Sequence, residues 1–268
     1  MLDTTSRTVA ASHPAIVCRS LSKVYETRDG SLVAAIEALD LTISAGEFVT
    51  VVGPSGCGKS TLLKLLAGLI PCTGGTLLIA GEPIRGPRRD IGMVFQAATL
   101  LDWRTVLQNV MLPVDVLGLN RPRYRERARD LLNMVGLAGF ENKYPGELSG
   151  GMQQRVALSR SLVHDPALLL MDEPFGALDA LTRESMNLEL QRIWMQAGKT
   201  VVLITHSISE AVFLGDRVAV MTSRPGRLAE IVPVGIARPR SLDMMATPEF
   251  GRIVTHIRKL LNAGGHVD

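Results

Sequence analysis

Phe48-Val49-Thr50-Val51-Val52-Gly53-Pro54-Ser55-Gly56-Cys57-Gly58-Lys59-Ser60-Thr61 is the stretch that decides the fold. It opens as a short β-branched run and stops at Gly53. From Gly53 to Ser60 it matches G-x-x-x-x-G-K-[ST]. Lys59–Leu69 then reads as a helix, with Leu62, Leu63, Leu65, Leu66 and Leu69 on a broad apolar face. Strand, glycine loop and helix in that order make a phosphate cradle. The glycines let backbone N–H groups turn inward around phosphate oxygens. The helix points its positive end at the same oxygens. Lys59 adds a full charge, the Ser60 hydroxyl suits Mg²⁺, and Thr61 can hydrogen-bond an α-phosphate. The bland alternative is a glycine-rich turn with a surface lysine.

Outward from this stretch, the chain alternates. Ile16–Glu26 and Ile36–Ile43 read as strands joined by the turn-rich Thr27-Arg28-Asp29-Gly30. Thr76–Ala80, Ile91–Phe95, Ala167–Met171, Val201–Thr205 and Val218–Met221 read as further strands. Gly150–His164, Thr182–Gln196 and Pro248–Leu261 read as helices. Strands alternating with helices predict a mainly parallel sheet with right-handed crossovers. Residues 97–165 break the alternation with helices alone, so a helical subdomain is expected there, inserted into the α/β core. Residues 1–15 are expected to be a flexible polar tail, residues 16–240 the main domain, and 241–268 a helical tail.

Composition narrows the function classes. With 268 residues, 46% hydrophobic and 21% charged, the chain is globular and needs no covalent staples. A net charge of +3 and 4% aromatics give neither the basic face nor the stacking surface that nucleic acid usually demands, so no nucleic-acid partner is expected. Cys18, Cys57 and Cys72 form no C-x-x-C pair, which argues against a zinc site or disulfide framework and for a reducing compartment. No run approaches the ~18 apolar residues of a membrane helix.

A second centre lies at Ala167-Leu168-Leu169-Leu170-Met171, which runs into Asp172-Glu173. Two carboxylates at the end of a buried strand are costly unless they meet a cation. Beside a phosphate cradle that cation is Mg²⁺, with Asp172 holding it through water and Glu173 free to act as general base. Two more strands end in functional side chains: Ile91–Phe95 at Gln96 and Val201–Thr205 at His206. Ligands in open α/β sheets bind beyond the carboxyl ends of strands, so Gly53, Gln96, Asp172 and His206 are expected on one edge. Gln96 suits Mg²⁺ and water, and His206 suits a γ-phosphate oxygen.

Leu148-Ser149-Gly150-Gly151-Met152-Gln153-Gln154-Arg155 resembles the signature motif of ATP-binding cassette (ABC) proteins. The other motifs fall in that family's order. Gly53–Thr61 resembles its Walker A, Gln96 its Q-loop, Asp172-Glu173 its Walker B and catalytic glutamate, Ala177-Leu178-Asp179 its D-loop, and His206 its switch histidine. Tyr25 resembles the aromatic that stacks on adenine. Met152 departs from the more frequent Gln, a change many importer cassettes share. The resemblance covers about residues 16–225. It implies a P-loop NTPase core with an N-terminal antiparallel β-subdomain and an inserted helical subdomain. It implies ATP and Mg²⁺ as ligands. Catalysis would fall to Glu173, His206, Gln96 and Lys59, nucleotide binding to Tyr25, Gly53, Pro54, Ser55, Gly56, Cys57, Gly58, Lys59, Ser60 and Thr61, and metal binding to Ser60, Gln96 and Asp172.

Ser149-Gly150-Gly151 opens a helix and is a second anion-seeking N-terminus. Since the cradle already rings one γ-phosphate, this site is best used on a partner's nucleotide. The family implies a homodimer that sandwiches two ATP molecules, with Ser149, Gly150, Gly151 and Asp179 at the seam. Cys57, beside Lys59 and a helix N-terminus, is expected to be a reactive thiol shielded by MgATP, or else an inert buried one. The stretch Ala97–Val106, with Leu100, Leu101 and Trp103, is expected to receive a short helix from transmembrane permease subunits. The Leu-Leu-x-Trp-x-Thr-Val run, Ser223-Arg224-Pro225-Gly226-Arg227 and Arg238-Pro239-Arg240 resemble nitrate, sulfonate and taurine importer cassettes, although Asp102 stands where those often have Pro. A periplasmic or extracellular solute-binding protein would be an indirect partner, and the chain would sit on the cytoplasmic face of the inner membrane. The competing expectations are a soluble cassette ATPase acting on nucleic acid or ribosomes, and a nucleotide kinase. The kinase explains neither Ser149-Gly150-Gly151 nor His206.

Overall fold

The computed structural model describes residues 14–176 and 178–263. In chain order the elements are β1 (Pro14–Glu26), β2 (Leu32–Ser44), β3 (Phe48–Val52), α1 (Lys59–Leu66), β4 (Gly74–Ile79), β5 (Glu82–Pro83), β6 (Ile91–Val94), α2 (Val106–Val110), α3 (Leu112–Val116), α4 (Arg121–Met134), α5 (Gly150–Leu162), β7 (Leu168–Asp172), α6 (Ala180–Ala197), β8 (Thr200–Ile204), α7 (Ile208–Leu214), β9 (Arg217–Met221), β10 (Leu228–Pro233) and α8 (Pro248–Ala263). The strands make two sheets, ordered β2-β1-β4-β5 and β10-β9-β3-β8-β7-β6. The first is antiparallel throughout. The second is parallel except for β10 against β9.

The parallel sheet is buried on both faces, which is why β3 and β8 read as continuous apolar runs. Successive side chains still point to opposite sides. Leu168 and Leu170 of β7 join a core shared with α1 and the antiparallel sheet. Leu169 and Met171 join a larger core built with α2, α4, α5, α6, α7 and α8. The sheet is therefore the partition between two hydrophobic cores.

Differences from the sequence expectations have local causes. Helix α1 stops at Leu66 rather than Leu69 because Gly68 takes a left-handed φ of +69°, and a side chain there would run into the carbonyl oxygen of Gly86. Pro14 and Ala15, expected in the polar tail, belong to β1: Pro14 pairs with Ser44, and Ala15 accepts from the Ala80 N–H. The rest of that tail, with residues 264–268 and Ala177, lies outside the described residues. Strand β10 was not expected. It is a half-buried edge strand carrying Glu230 and ending in Pro233, so its apolar alternation is too broken to register as a strand.

The chain after β10 is tied to the core by a buried cation. Arg240 is 2% exposed. Its Nη1 donates to the carbonyls of Val212 (2.8 Å), Phe213 (2.9 Å) and Gly215 (2.8 Å), the last turn of α7 and the residue after it. A cation at a helix C-terminus also complements the dipole. Burial and the nearby Arg238 lower its pKa from 12.5 to about 10, so it stays charged at neutral pH. Arg240→Ala is expected to lower unfolding stability by about 3 kcal/mol, because it strands several buried carbonyls at once. The urea midpoint reads this directly, and a shift below about 1 kcal/mol would mean that the carbonyls are rescued by water.

Candidate functional site

Strand register brings the chemistry together. Val51 of β3 lies opposite Ile204 of β8, and Ile204 lies opposite Asp172 of β7. Met171 lies opposite Val94 of β6. Asp172 and the residues that follow the other positions, Gly53, His206 and Gln96, therefore leave the same edge of the sheet, and Glu173 comes next after Asp172.

Beyond that edge lies an open cavity of about 350 Å³. Its lining includes Ser55, Gly56, Gly58, Lys59, Ser60 and Thr61 from the loop and α1, and Tyr25, Val33 and Ala35 from the antiparallel sheet. Glu173, His206 and Arg224 close it. Gly56 and Gly58 have φ of +74° and +96°, which side chains resist. At Gly58 a Cβ would also lie 2.6 Å from the Ala35 carbonyl oxygen. Helix α1 has no side-chain cap, whereas Ser149 caps α5, Asp179 caps α6 and Ser207 caps α7. The first N–H groups of α1 are thus left for an anion. Lys59 is only 5% exposed, and its ammonium is held by the carbonyls of Gly53 (2.8 Å) and Pro54 (3.0 Å).

Opposite the loop, Glu173 Oε1 and His206 Nε2 are 2.6 Å apart. Glu173 has a left-handed φ of +46°, an uncommon backbone state that clusters at functional positions. Its N–H donates to the Ile204 carbonyl at 2.9 Å, so the turn is anchored to β8. A smaller cavity of about 190 Å³ adjoins, lined by Glu173, His206, Gln96, Gly176, Arg183 and Glu210 among others. Gln96 is thereby brought to the same pair. Glu210 is buried, hydrogen-bonded to the Thr205 hydroxyl, and its pKa is raised by that burial.

The oxygens of Ser60, Asp172 and Gln96 are hard donors that fit Mg²⁺. Ser60 Oγ donates to Asp172 Oδ1 at 3.4 Å, so two of the three are neighbours. Among the described residues no cluster of three or more His, Cys, Asp or Glu could hold a metal unaided. An ion here would need phosphate oxygens to complete its shell, as Mg²⁺ with a nucleotide does.

Neither cavity includes Ser149, Gly150, Gly151 or Asp179. The Ser149 hydroxyl accepts from the Met152 N–H at 3.3 Å, and the Asp179 carboxylate accepts from the Thr182 N–H at 3.0 Å. A hydrogen bond from the Thr182 side chain, followed by the Thr182 N–H, lowers the Asp179 pKa. Among the residues that the sequence did not single out for the site are Arg224 and Gln154. Arg224 lines the larger cavity. Gln154, quoted only as part of a motif, donates to the carbonyls of Gln96 (2.9 Å), Phe95 (3.4 Å) and Pro174.

The sequence matches the ABC transporter family over residues 36–176. The chain belongs to that family. It is 48% identical over 240 residues to an uncharacterized ABC transporter ATP-binding protein of Methanocaldococcus jannaschii, covering 90% of each chain. It is 47% identical to the taurine import ATP-binding protein TauB of Shigella sonnei, covering 86% of this chain and 91% of that protein. A solved dimeric ATP-binding cassette, in a post-hydrolysis state bound to ADP and Pi, superposes with a TM-score of 0.72 at 34% identity, covering 83% of this chain and all of that one. This ABC cassette is thus an ATPase with the mixed α/β fold expected for the family.

Of the two readings of Cys57, burial favours the inert one. Cys57 is 0% exposed, and its side chain packs so close to Gly53 that a Cβ there would lie 2.6 Å from Sγ. Burial raises its pKa and outweighs the pull of Lys59. It is the inert thiol that fills the loop, not a reactive one. Iodoacetamide at neutral pH is therefore expected to label exposed Cys72 and to spare Cys57 and Cys18 in the native ABC cassette, with or without nucleotide. Peptide mass spectrometry checks this, and fast labelling of Cys57 would contradict it.

Proposed function

We propose that this cassette powers an importer: ATP binding and hydrolysis in a homodimer drive uptake of a small anionic solute through separate transmembrane permease subunits. The observation that carries the reading is the split of the site. One cavity gathers Lys59, Ser60, Thr61, Glu173 and His206, while Ser149, Gly150 and Gly151 at the start of α5 do not line it. Two copies related by a twofold would each lend α5 and Asp179 to the other's nucleotide.

The roles follow from position. Tyr25 stacks on adenine. The loop N–H groups from Gly53 to Thr61 hold the phosphates, and Pro54, Ser55 and Cys57 shape that loop. The Lys59 ammonium meets β- and γ-oxygens. Glu173 orients the attacking water and takes its proton, and His206 holds the Glu173 carboxylate and reaches a γ-oxygen. Magnesium, when bound, would neutralise phosphate charge from a seat on Ser60, Asp172 and Gln96.

Partner and place are argued from the surface and the relatives. Trp103 is 75% exposed beside Leu100 and Leu101, an apolar edge suited to a permease helix. Among the described residues no helix is long and apolar enough to cross a membrane, so a peripheral position on the cytoplasmic face of the inner membrane fits. The taurine-import relative favours a solute of the nitrate, sulfonate or taurine type, delivered by an extracytoplasmic binding protein. Residues 16–240 would form the ATPase domain, with the helical subdomain near 97–165.

Glu173→Gln is expected to bind ATP, lose turnover by at least about 100-fold, and accumulate a closed dimer. Small-angle scattering with saturating MgATP reads the dimer. A particle that stays monomeric, or a variant that hydrolyses at the wild-type rate, would remove the basis of the proposal. Lys59→Ala should lose nucleotide binding itself, measured by calorimetric titration.

A further inference from the structure

We propose that the turn joining β9 to β10 is a strap on the nucleotide site, and that Arg224 within it is a positioning residue for the phosphates. This deepens the ATP reading above and rests on it.

The turn bonds to both walls of the cavity. On one side lies the antiparallel sheet. The Gly226 N–H donates to the Ala35 carbonyl at 3.1 Å, and the Glu37 N–H donates to the Gly226 carbonyl at 3.0 Å. These bonds make a short parallel bridge between Gly226 and Ile36, which links β2 to the turn that ends the parallel sheet. Arg227 adds an ion pair to Glu37 at 2.9 Å. On the other side lies the phosphate loop. Arg224 Nε donates to the Gly56 carbonyl at 2.8 Å, and its guanidinium covers Gly56 so closely that a Cβ there would meet Nη2 at 2.7 Å. A side chain at Gly226 would run into the Cys57 carbonyl oxygen. Glycine is required at 226 because three backbones converge there.

The chemistry gives these contacts a purpose. A phosphate loop works by turning its N–H groups inward, so its carbonyls must find partners on the outside. The Gly56 carbonyl finds a charged donor, which makes a stronger bond than a neutral one. That carbonyl shares a peptide unit with the Cys57 N–H. That N–H donates to the Pro54 carbonyl at 3.3 Å, so a donor on the Gly56 oxygen fixes the whole peptide unit and with it the shape of the loop from Pro54 to Cys57. Through Gly226 the same turn sets the spacing between the loop and Ala35, which lines the cavity beside Val33 and Tyr25. The strap thus couples the wall that meets the base to the wall that meets the phosphates.

The test is nucleotide affinity in the full-length ABC cassette, read by titrating a ribose-labelled fluorescent ATP analogue, together with steady-state ATPase kinetics. Arg224→Ala should weaken Kd about tenfold, as loss of one charge-assisted hydrogen bond implies, with the loss falling on KM rather than on kcat. Arg224→Lys keeps a charged donor and should recover part of that loss. The thermal midpoint without nucleotide should fall only slightly, since Arg224 is exposed and loses one surface hydrogen bond. Gly226→Ala should weaken binding further by displacing the loop, and if it fails to fold Arg224→Ala still decides. Wild-type Kd in Arg224→Ala, or a fall in kcat at unchanged Kd, would overturn the strap while leaving the ATP reading intact. Failure of the wild-type ABC cassette to bind the analogue would sink both.

Discussion

The spacing of parallel strands is the constraint from which the site follows. Neighbouring strands lie roughly 4.8 Å apart, so side chains leaving adjacent strand ends are held within hydrogen-bond reach of one another. Glu173 and His206 leave β7 and β8 and meet at 2.6 Å. Ser60 and Asp172 belong to α1 and β7 and meet at 3.4 Å. No long-range search by flexible loops is needed, because the sheet has already set the distances. The same sheet separates two cores, so a change on one side of it is not absorbed by repacking on the other.

Charge explains much of what surrounds that edge. Lys59 is buried because the carbonyls of Gly53 and Pro54 satisfy it. Arg240 is buried for the same reason at the end of α7. In both places a cation replaces the water that backbone carbonyls would otherwise need. One such carbonyl cluster faces a ligand site and the other closes the C-terminal segment onto the core.

The parts legible in the sequence were those with strong periodicity or fixed spacing. Continuous apolar runs gave β3, β7 and β8, and the loop from Gly53 to Ser60 and the pair Asp172-Glu173 followed from spacing alone. What escaped depends on contacts between distant segments. Arg224 reaches Gly56 across 168 positions, a separation at which local pattern carries no signal. Strand β10 is half exposed and ends in proline, so its period is blurred. The two readings of Cys57 stay open in the sequence because its polar and charged neighbours in sequence do not reveal the apolar cluster it joins in space. Burial, which decides thiol chemistry, cannot be read from adjacent letters.

Gln154 carries a mechanical consequence. Its amide, on the second turn of α5, grips the main chain at three points on two other segments. One side chain therefore acts as a linchpin. A roll of helix α5 about its own axis would strain these bonds to the backbone at 95–96 and at 174. The start of α5 and the segment that carries Gln96 are thus tied by one amide.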